Sequence, residues 1–442
     1  MKLGRFAAAT LTLAAISLGA CEGQRVAQAP PARTIPSSTA QAPSVAVPVP
    51  QAPQPEAQLP PIAAGGSVPV ALLLPLSGPD AAIGADLLDA AQLALFEVAD
   101  PKFRLVPRDT AGPGGAAAAA EQAVSEGARL ILGPLFAGDV AQASPIANAR
   151  GVNVIAFSND SAAAHPGAYL IGITPDQQIR RIVGYAYRQG LRRFAALVPE
   201  GEYGNHVHQS LQRYVAEIGA QLVVVSNYAA DGNDVNGVVR RLAGWDGRRA
   251  AMQRMRRELE EKNDDAARDE LRRLGRSETL GELAFDSVLL PEGGARLAQI
   301  APLLAYYDVD SANVRYLGLT AWEAPGLGRE PSLVGAWYVA PPQGGREGFE
   351  ARFRDTYGRP PGPIARLGYD ATALAALLAR RDGGPDFSAQ AITATNGYLG
   401  SGGIFRFRSS GEAETGLTVF EVRPNGVRVV DPAPDTFQQL GQ

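Results

Sequence analysis

From Val68 onward, short apolar runs alternate with longer stretches whose apolar positions recur at helical spacing. Residues 68–74 read as a strand buried on both faces, residues 75–79 (Pro-Leu-Ser-Gly-Pro) as a loop, and residues 83–98 as a helix with Leu87, Leu88, Ala91 and Leu95 on one stripe. The cycle repeats: strand 104–106 and helix 116–126, strand 130–132 and helix 140–150, then strand 154–157 and the polar turn Ser158-Asn159-Asp160-Ser161. A second series opens at Thr174-Pro175-Asp176, a helix-start signal, and runs through helix 177–189, strand 194–198, helix 205–218 and strand 221–227 to strands at 287–290 and 314–319. Strands separated by helices of this length predict parallel sheets covered by helices on both faces, here two doubly wound α/β lobes. Ligands of such sheets bind beyond the carboxyl ends of the strands.

The first 66 residues break this pattern. Lys2 and Arg5 precede an apolar run from Phe6 to Leu18, too short for a stable span and typical of a secretory signal over residues 1–20. Leu18-Gly19-Ala20-Cys21 resembles a bacterial lipobox, with Cys21 as the lipidation site and first mature residue. Glu22, in place of the aspartate that retains enteric lipoproteins at the inner membrane, favours the outer membrane with the protein facing the periplasm. Residues 21–66 are Pro, Ala, Gln and Ser-rich and predict an unfolded tether reaching on the order of 100 Å. The membrane is expected to be met through the lipid anchor only.

Charge and composition narrow the chemistry. In 442 residues, Lys+Arg (41) and Asp+Glu (45) nearly balance, so no footprint for nucleic acid appears. One cysteine and three histidines leave little for a metal centre or a Ser-His-Asp hydrolase, so neither a metal nor a cofactor is expected and the chain reads as a non-enzyme. Gly112-Pro113-Gly114-Gly115 superficially fits a dinucleotide fingerprint, but Pro113 removes an amide and no acid follows strand 130–132. His206 and His208 diverge on a helix and read as surface groups.

The order of several phrases carries a resemblance. Val70-Ala71-Leu72-Leu73-Leu74-Pro75-Leu76-Ser77-Gly78-Pro79, Gly84, Arg108-Asp109-Thr110 and Ile131-Leu132-Gly133-Pro134-Leu135 resemble a type I periplasmic binding protein of the leucine/isoleucine/valine receptor class. Val154-Ile155-Ala156-Phe157-Ser158-Asn159, Gly172-Ile173-Thr174-Pro175-Asp176-Gln177, Phe285-Asp286-Ser287-Val288-Leu289-Leu290-Pro291 and Gly368-Tyr369-Asp370-Ala371 are similar to the LpoA-like penicillin-binding protein activators within that superfamily. The chain departs from the enteric activator in carrying the proline-rich tether where that protein has a helical-repeat domain. The restart of the strand-helix series places one crossing between the lobes near Thr174, and the resemblance implies two more, near Thr320 and residues 397–402. Lobe one would then hold 67–174 and 320–396, lobe two 175–319 and 397–432, and residues 433–442 would be a tail. The implied function is contact activation of a penicillin-binding protein, a peptidoglycan synthase. The alternative is a substrate-binding protein of an ABC transporter for branched-chain or other amino acids or amides.

The candidate cleft residues are Ser77, Asp139, Ser158, Asn159, Asp160, Ser161, Tyr203, Trp322 and Glu323, with Glu202 beside them. In amino-acid receptors of this fold, a hydroxyl and free helix-start amides hold the ligand carboxylate. Here Asp139 is placed to cap helix 140–150 and would repel a carboxylate, which suits the cleft to a cation, an amide or no small ligand. The plainer reading makes both Asp139 and Asp160 caps and turn formers, and Tyr203 and Trp322 simple packing. Between helix 235–242 and strand 287–290, residues 245–280 form an insertion. Met252, Met255, Leu259, Ala266, Leu271 and Leu274 predict a charged amphipathic helix or hairpin, with Arg256, Arg257, Arg272 and Arg273 as partner-docking candidates.

Overall fold

The computed structural model describes residues 66–437, apart from Ala99, Arg276, Ala312 and Pro325. The expected signal, tether and lipidation site Cys21 lie outside the described residues, Gly66 excepted. In chain order the first lobe is built from β1 (Val68–Leu74), α1 (Ala81–Val98), β2 (Phe103–Asp109), α2 (Gly115–Ser125), β3 (Leu130–Leu132), α3 (Ala137–Asn148), β4 (Asn153–Ala156) and β5 (Ala168–Leu170). Its five strands are parallel in the order β2-β1-β3-β4-β5. The period of two along β1 divides it between two cores: Val68, Val70, Leu72 and Leu74 belong to one apolar cluster, Ala71 and Leu73 to the other. The second cluster is alanine-rich, with Ala116, Ala119, Ala120 and Ala123 of α2 and Ala143 and Ala147 of α3 against the sheet.

The second lobe follows with α4 (Pro175–Arg188), β6 (Arg193–Pro199), α5 (Glu202–Glu217), β7 (Gln221–Tyr228), α6 (Val235–Leu242), α7 (Trp245–Lys262), α8 (Asp265–Leu274), β8 (Ser287–Leu290), α9 (Gly294–Tyr306), β9 (Arg315–Gly318) and β10 (Trp337–Ala340). The chain then returns to lobe one through α10 (Gln343–Tyr357), α11 (Ala365–Ala379), α12 (Ala389–Ile392) and the meander β11 (Tyr398–Gly400), β12 (Gly403–Phe407) and β13 (Ala413–Thr415). It ends in lobe two with β14 (Thr418–Arg423) and β15 (Gly426–Asp431), completing a seven-stranded sheet of order β15-β14-β10-β9-β8-β6-β7. In both lobes the helix after a cleft strand folds back tightly. A Cβ on Gly84 would lie 2.0 Å from the Pro75 carbonyl oxygen and one on Gly204 1.7 Å from that of Pro199, so only glycine fits either place.

Two of the expected lobe boundaries are corrected. The second crossing is at Pro341-Pro342 rather than Thr320, because β10 is hydrogen-bonded between β9 and β14 in the sheet of lobe two. The third lies at Gly416-Leu417 rather than 397–402, because Phe405, Phe407 and Ala413 are buried in the core that holds β1, α1 and α11. The expected tail is also partly folded: the Ala433 N–H donates to Thr418 Oγ1 at 3.1 Å, and Phe437 is buried under Arg406. The insertion is the hairpin α7–α8. Met252, Leu259 and Ala267 are buried, and Ala266, expected on the apolar stripe, is exposed.

The start of α4 ties the first and third crossings to the segment that follows β9. Buried Gln178 donates from Nε2 to the Ile173 carbonyl at 3.1 Å, and its Oε1 accepts from the Thr320 N–H at 2.8 Å and the Thr320 hydroxyl at 3.0 Å. Gln177 Oε1 accepts from the Thr415 N–H at 3.0 Å, and Arg181 Nε donates to the Leu417 carbonyl at 2.7 Å. Replacing Gln178 with leucine leaves the Thr320 donors without that acceptor. Gln178→Leu is expected to cost about 1–3 kcal/mol in urea unfolding, and a loss below about 0.5 kcal/mol would show the tie to be dispensable.

Candidate functional site

The loops that follow the carboxyl ends of the parallel strands supply the candidate residues. On lobe one, Ser77 follows β1, Asp109 ends β2, Asp139 lies in the first turn of α3 after β3, and Ser158 to Ser161 follow β4. On lobe two, Glu202 and Tyr203 open α5 after β6, Glu292 follows β8, and Trp322 and Glu323 follow β9. Two contacts join the sets. The Ser161 hydroxyl is 3.4 Å from both Asp176 Oδ2 and His206 Nε2, and Glu323 pairs with Arg346 of α10 at 2.5 Å.

The lobe-one end is anionic. Asp109 accepts from the Leu76 and Ala111 N–H groups, each at 2.9 Å. Burial alone would raise its carboxyl, but these bonds and the Ser77 hydroxyl hold it below the ordinary aspartate value. Asp139 is shifted the other way: burial pushes its carboxyl up, and the Thr110 hydroxyl only partly offsets this. Its expected role as an N-cap is corrected. Helix α3 starts earlier, at Ala137, with Phe136 at the cap position and no side-chain cap bond, which places Asp139 at the third helical position. Its charge there still meets the positive end of the helix.

The turn after β4 is mostly structural. Buried Ser158 accepts the Asp160 N–H at 3.1 Å, and exposed Asp160 accepts the Ala162 N–H at 3.0 Å, as a turn former does. Asn159 is exposed. Ser161 differs, because it reaches Asp176 and His206 of the other lobe. His206 is therefore not the surface group expected: its Nε2 is 2.7 Å from Asp176 Oδ2, while Ser210 Oγ donates to Asp176 Oδ1 at 2.7 Å and Arg213 pairs with it at 2.5 Å. Burial would raise Asp176, but Ser210, His206 and Arg213 together hold it low.

On lobe two, Tyr203 is 41 % exposed with its hydroxyl donating to the Pro291 carbonyl at 3.3 Å, and burial plus the nearby Glu292 push the phenol up to about 12. Glu202 is exposed beside it. Trp322 is corrected from cleft wall to core: it is fully buried, donates from Nε1 to the Leu290 carbonyl at 2.9 Å and stacks on Tyr338. Glu323 is raised by burial despite the neighbouring Arg346 and Arg366. Asp109, Asp176, Gln178 and Glu292 were not singled out as site residues. Asp109 and Asp176 stood in quoted phrases, but nothing local distinguishes them from other turn acids.

Of the insertion arginines, Arg256 is turned inward, donating to the Gly275 and Ser277 carbonyls at 2.9 Å each, and so is corrected from docking group to hairpin tie. Arg257 is exposed, Arg272 pairs with Asp269, and Arg273 pairs with Glu270 at 3.3 Å. Such exposed pairs contribute at most about 0.5 kcal/mol each. Among the described residues, no cluster of three or more His, Cys, Asp or Glu side chains is arranged to hold a metal, and no helix is long and apolar enough to cross a membrane.

The architecture is the type I periplasmic binding protein fold, and residues 67–267 match the family model described as periplasmic binding protein. Three solved structures share the fold. An ABC transporter substrate-binding protein from Sphaerobacter thermophilus is 17% identical, with 84% of this chain and 98% of that one covered and a TM-score of 0.61. The leucine binding protein LivK from Thermotoga maritima is 19% identical over 83% and 99%, with a TM-score of 0.53. An R. palustris solute binding protein in complex with benzoate is 16% identical over 84% and 97%, with a TM-score of 0.55. In sequence, an uncharacterized protein of Rickettsia prowazekii (strain Madrid E) is 26% identical over 176 residues, which is 40% of this chain and 47%, or about half, of the relative's length.

The opposite shifts of Asp139 and Asp176 set opposite pH responses. A carboxyl raised in the fold contributes stability that is full below the ordinary aspartate value of 3.8 and is lost as pH rises through its folded value. Asp139→Asn should therefore gain on the parent as pH rises from 3 to 7. A depressed carboxyl contributes above its ordinary value and loses that contribution as pH falls through the folded one. Asp176→Asn should cost about 1–2 kcal/mol at neutral pH, and the cost should shrink as pH falls below the ordinary aspartate value. Urea midpoints of both variants across pH 3 to 7 check the pair, and the same sign for both would contradict the assignment.

Proposed function

We propose that the chain is a non-enzymatic, extracytoplasmic binding protein whose cleft takes a small organic ligand, as the substrate-binding proteins of ABC transporters do. The observation that carries this reading is the set of polar side chains at the carboxyl ends of the strands in both lobes, joined across the lobes by Ser161 and by Glu323 with Arg346. The ligand is one without a dominant carboxylate. Asp139 lies in the loop equivalent to the carboxylate dock of an amino-acid receptor, Asp109 and Glu202 also sit at strand ends, and an anion brought among them meets repulsion. A cation or an amide meets acceptors instead. Lipidation at Cys21 and a tether through residue 66 would hold this binding body to the outer membrane, facing the periplasm.

A second reading is contact activation of a penicillin-binding protein, and one observation favours it: the hairpin α7–α8 presents exposed Arg257, Arg272 and Arg273 away from the cleft strands. Calorimetry with paired ligands separates the readings. Leucine, isoleucine and valine are expected to bind no tighter than about millimolar, and leucinamide, which exchanges the carboxylate for an amide and keeps the ammonium, at least about tenfold tighter than leucine. Micromolar leucine binding would overturn the charge argument while keeping the transport role. No binding across a broad panel of amines and amides, together with stimulation of a purified synthase, would replace the proposal with the second reading.

A further inference from the structure

At the base of the insertion, away from the strand ends, lies a cavity of about 510 Å³ between the start of α7, the segment that follows α8, and the end of α9. One wall is aromatic. The Trp245 ring is buried and stacks on Tyr306, with centroids 6.3 Å apart and planes at 24°. Tyr307 supports Trp245 edge-on at 5.3 Å. Tyr306 is nonetheless 69 % exposed, so a supported aromatic surface is left open where a core would have covered it.

The other walls carry charge from separate segments: Glu278 before β8, and Asp308 and Asp310 between α9 and β9. Arg248 is the cation of the lining, and it is engaged: its guanidinium donates to Thr279 Oγ1 at 2.9 Å, and that hydroxyl donates on to Asp308 at 2.5 Å. Arg249 approaches Glu278 only to 3.9 Å. The cavity therefore keeps a net negative lining against an aromatic face. A ligand with a positive head answers both the acids and the open aromatic face.

We propose that this cavity is a second binding site, for an alkylammonium group carried by a lysine side chain or by a small free amine. Acceptors on two separate segments suit a compact head with three rotatable donors better than the planar fork of a guanidinium. The Trp245–Tyr306 surface adds a cation–π contribution, which is strongest for indole and phenol rings. Asp308 has a left-handed backbone, φ 61°, a conformation that Asp and Asn tolerate, so Asp308→Asn removes the charge without forcing the turn. This site shares no residue with the cleft and does not depend on what the cleft binds.

The test follows the three tryptophan indole N–H resonances of the full chain during titration with three probes. These are Nα-acetyl-lysine methylamide, butylamine, and the neutral isostere Nα-acetyl-norleucine methylamide. The lysine amide is expected to shift the Trp245 resonance with a dissociation constant of about 1–10 mM, while the resonance of core-buried Trp322 stays in place. Asp308→Asn and Tyr306→Leu should each weaken this at least about fivefold, and added salt should weaken it further. A lysine amide that binds more tightly than butylamine points to a polypeptide lysine as the source, and equal binding points to a free amine. Binding of the norleucine compound as tight as that of the lysine compound, or no Trp245 shift with either amine, overturns the proposal, as does undiminished binding by folded Asp308→Asn.

Discussion

Much of what lets two sheets act as one cleft depends on how the first and last crossings are held beside the end of β9, and the constraint is the burial of Gln178. A buried amide must be satisfied, and this one is satisfied only by the backbone just before α4 and by Thr320 at the end of β9. Its neighbours Gln177 and Arg181 do the same for Thr415 and Leu417, and Arg181 continues to the Asp431 carboxylate at 2.6 Å. One helical turn thus fixes the first crossing to the other lobe-two strands and to the last return of the chain. The lobes keep separate apolar cores on either side of it.

How much of this was legible in the sequence depends on the range of the interactions. The alternation of apolar runs and helical stripes was local, and it carried the two α/β lobes and the hairpin of the insertion. The second crossing was not local. Trp337–Ala340 is a four-residue strand whose assignment rests on partners at Leu317 and Val419, far apart along the chain. Trp322 shows the same limit: just after a strand end it reads as a flat cleft wall, yet the ring is directed inward to the Leu290 carbonyl. The anionic character of the cleft was readable from Asp139, although its place in the helix was off by three residues from the expected cap because α3 begins at Ala137.

The charge pattern links the cleft to the rest of the molecule. Asp109 and Asp139, both at the strand ends of lobe one, have opposite shifts, one satisfied by amides and the other raised by burial. The insertion is treated differently. Its outer charges are largely matched within the hairpin, as Arg268 with Asp265 and Arg273 with Glu270 show, whereas the cavity at its base keeps acids and an open aromatic ring.

The central claim is that the two lobes form a cleft that closes on a small molecule. Pulsed electron resonance between spin labels at Ser77 and Glu202, both exposed and on opposite lobes, in a chain whose Cys21 is replaced by serine, addresses it most directly. The account predicts a broad distance distribution in the ligand-free protein that narrows and shortens when the small-molecule fraction of a periplasmic extract is added. A single narrow distribution, unchanged by that fraction, would contradict it.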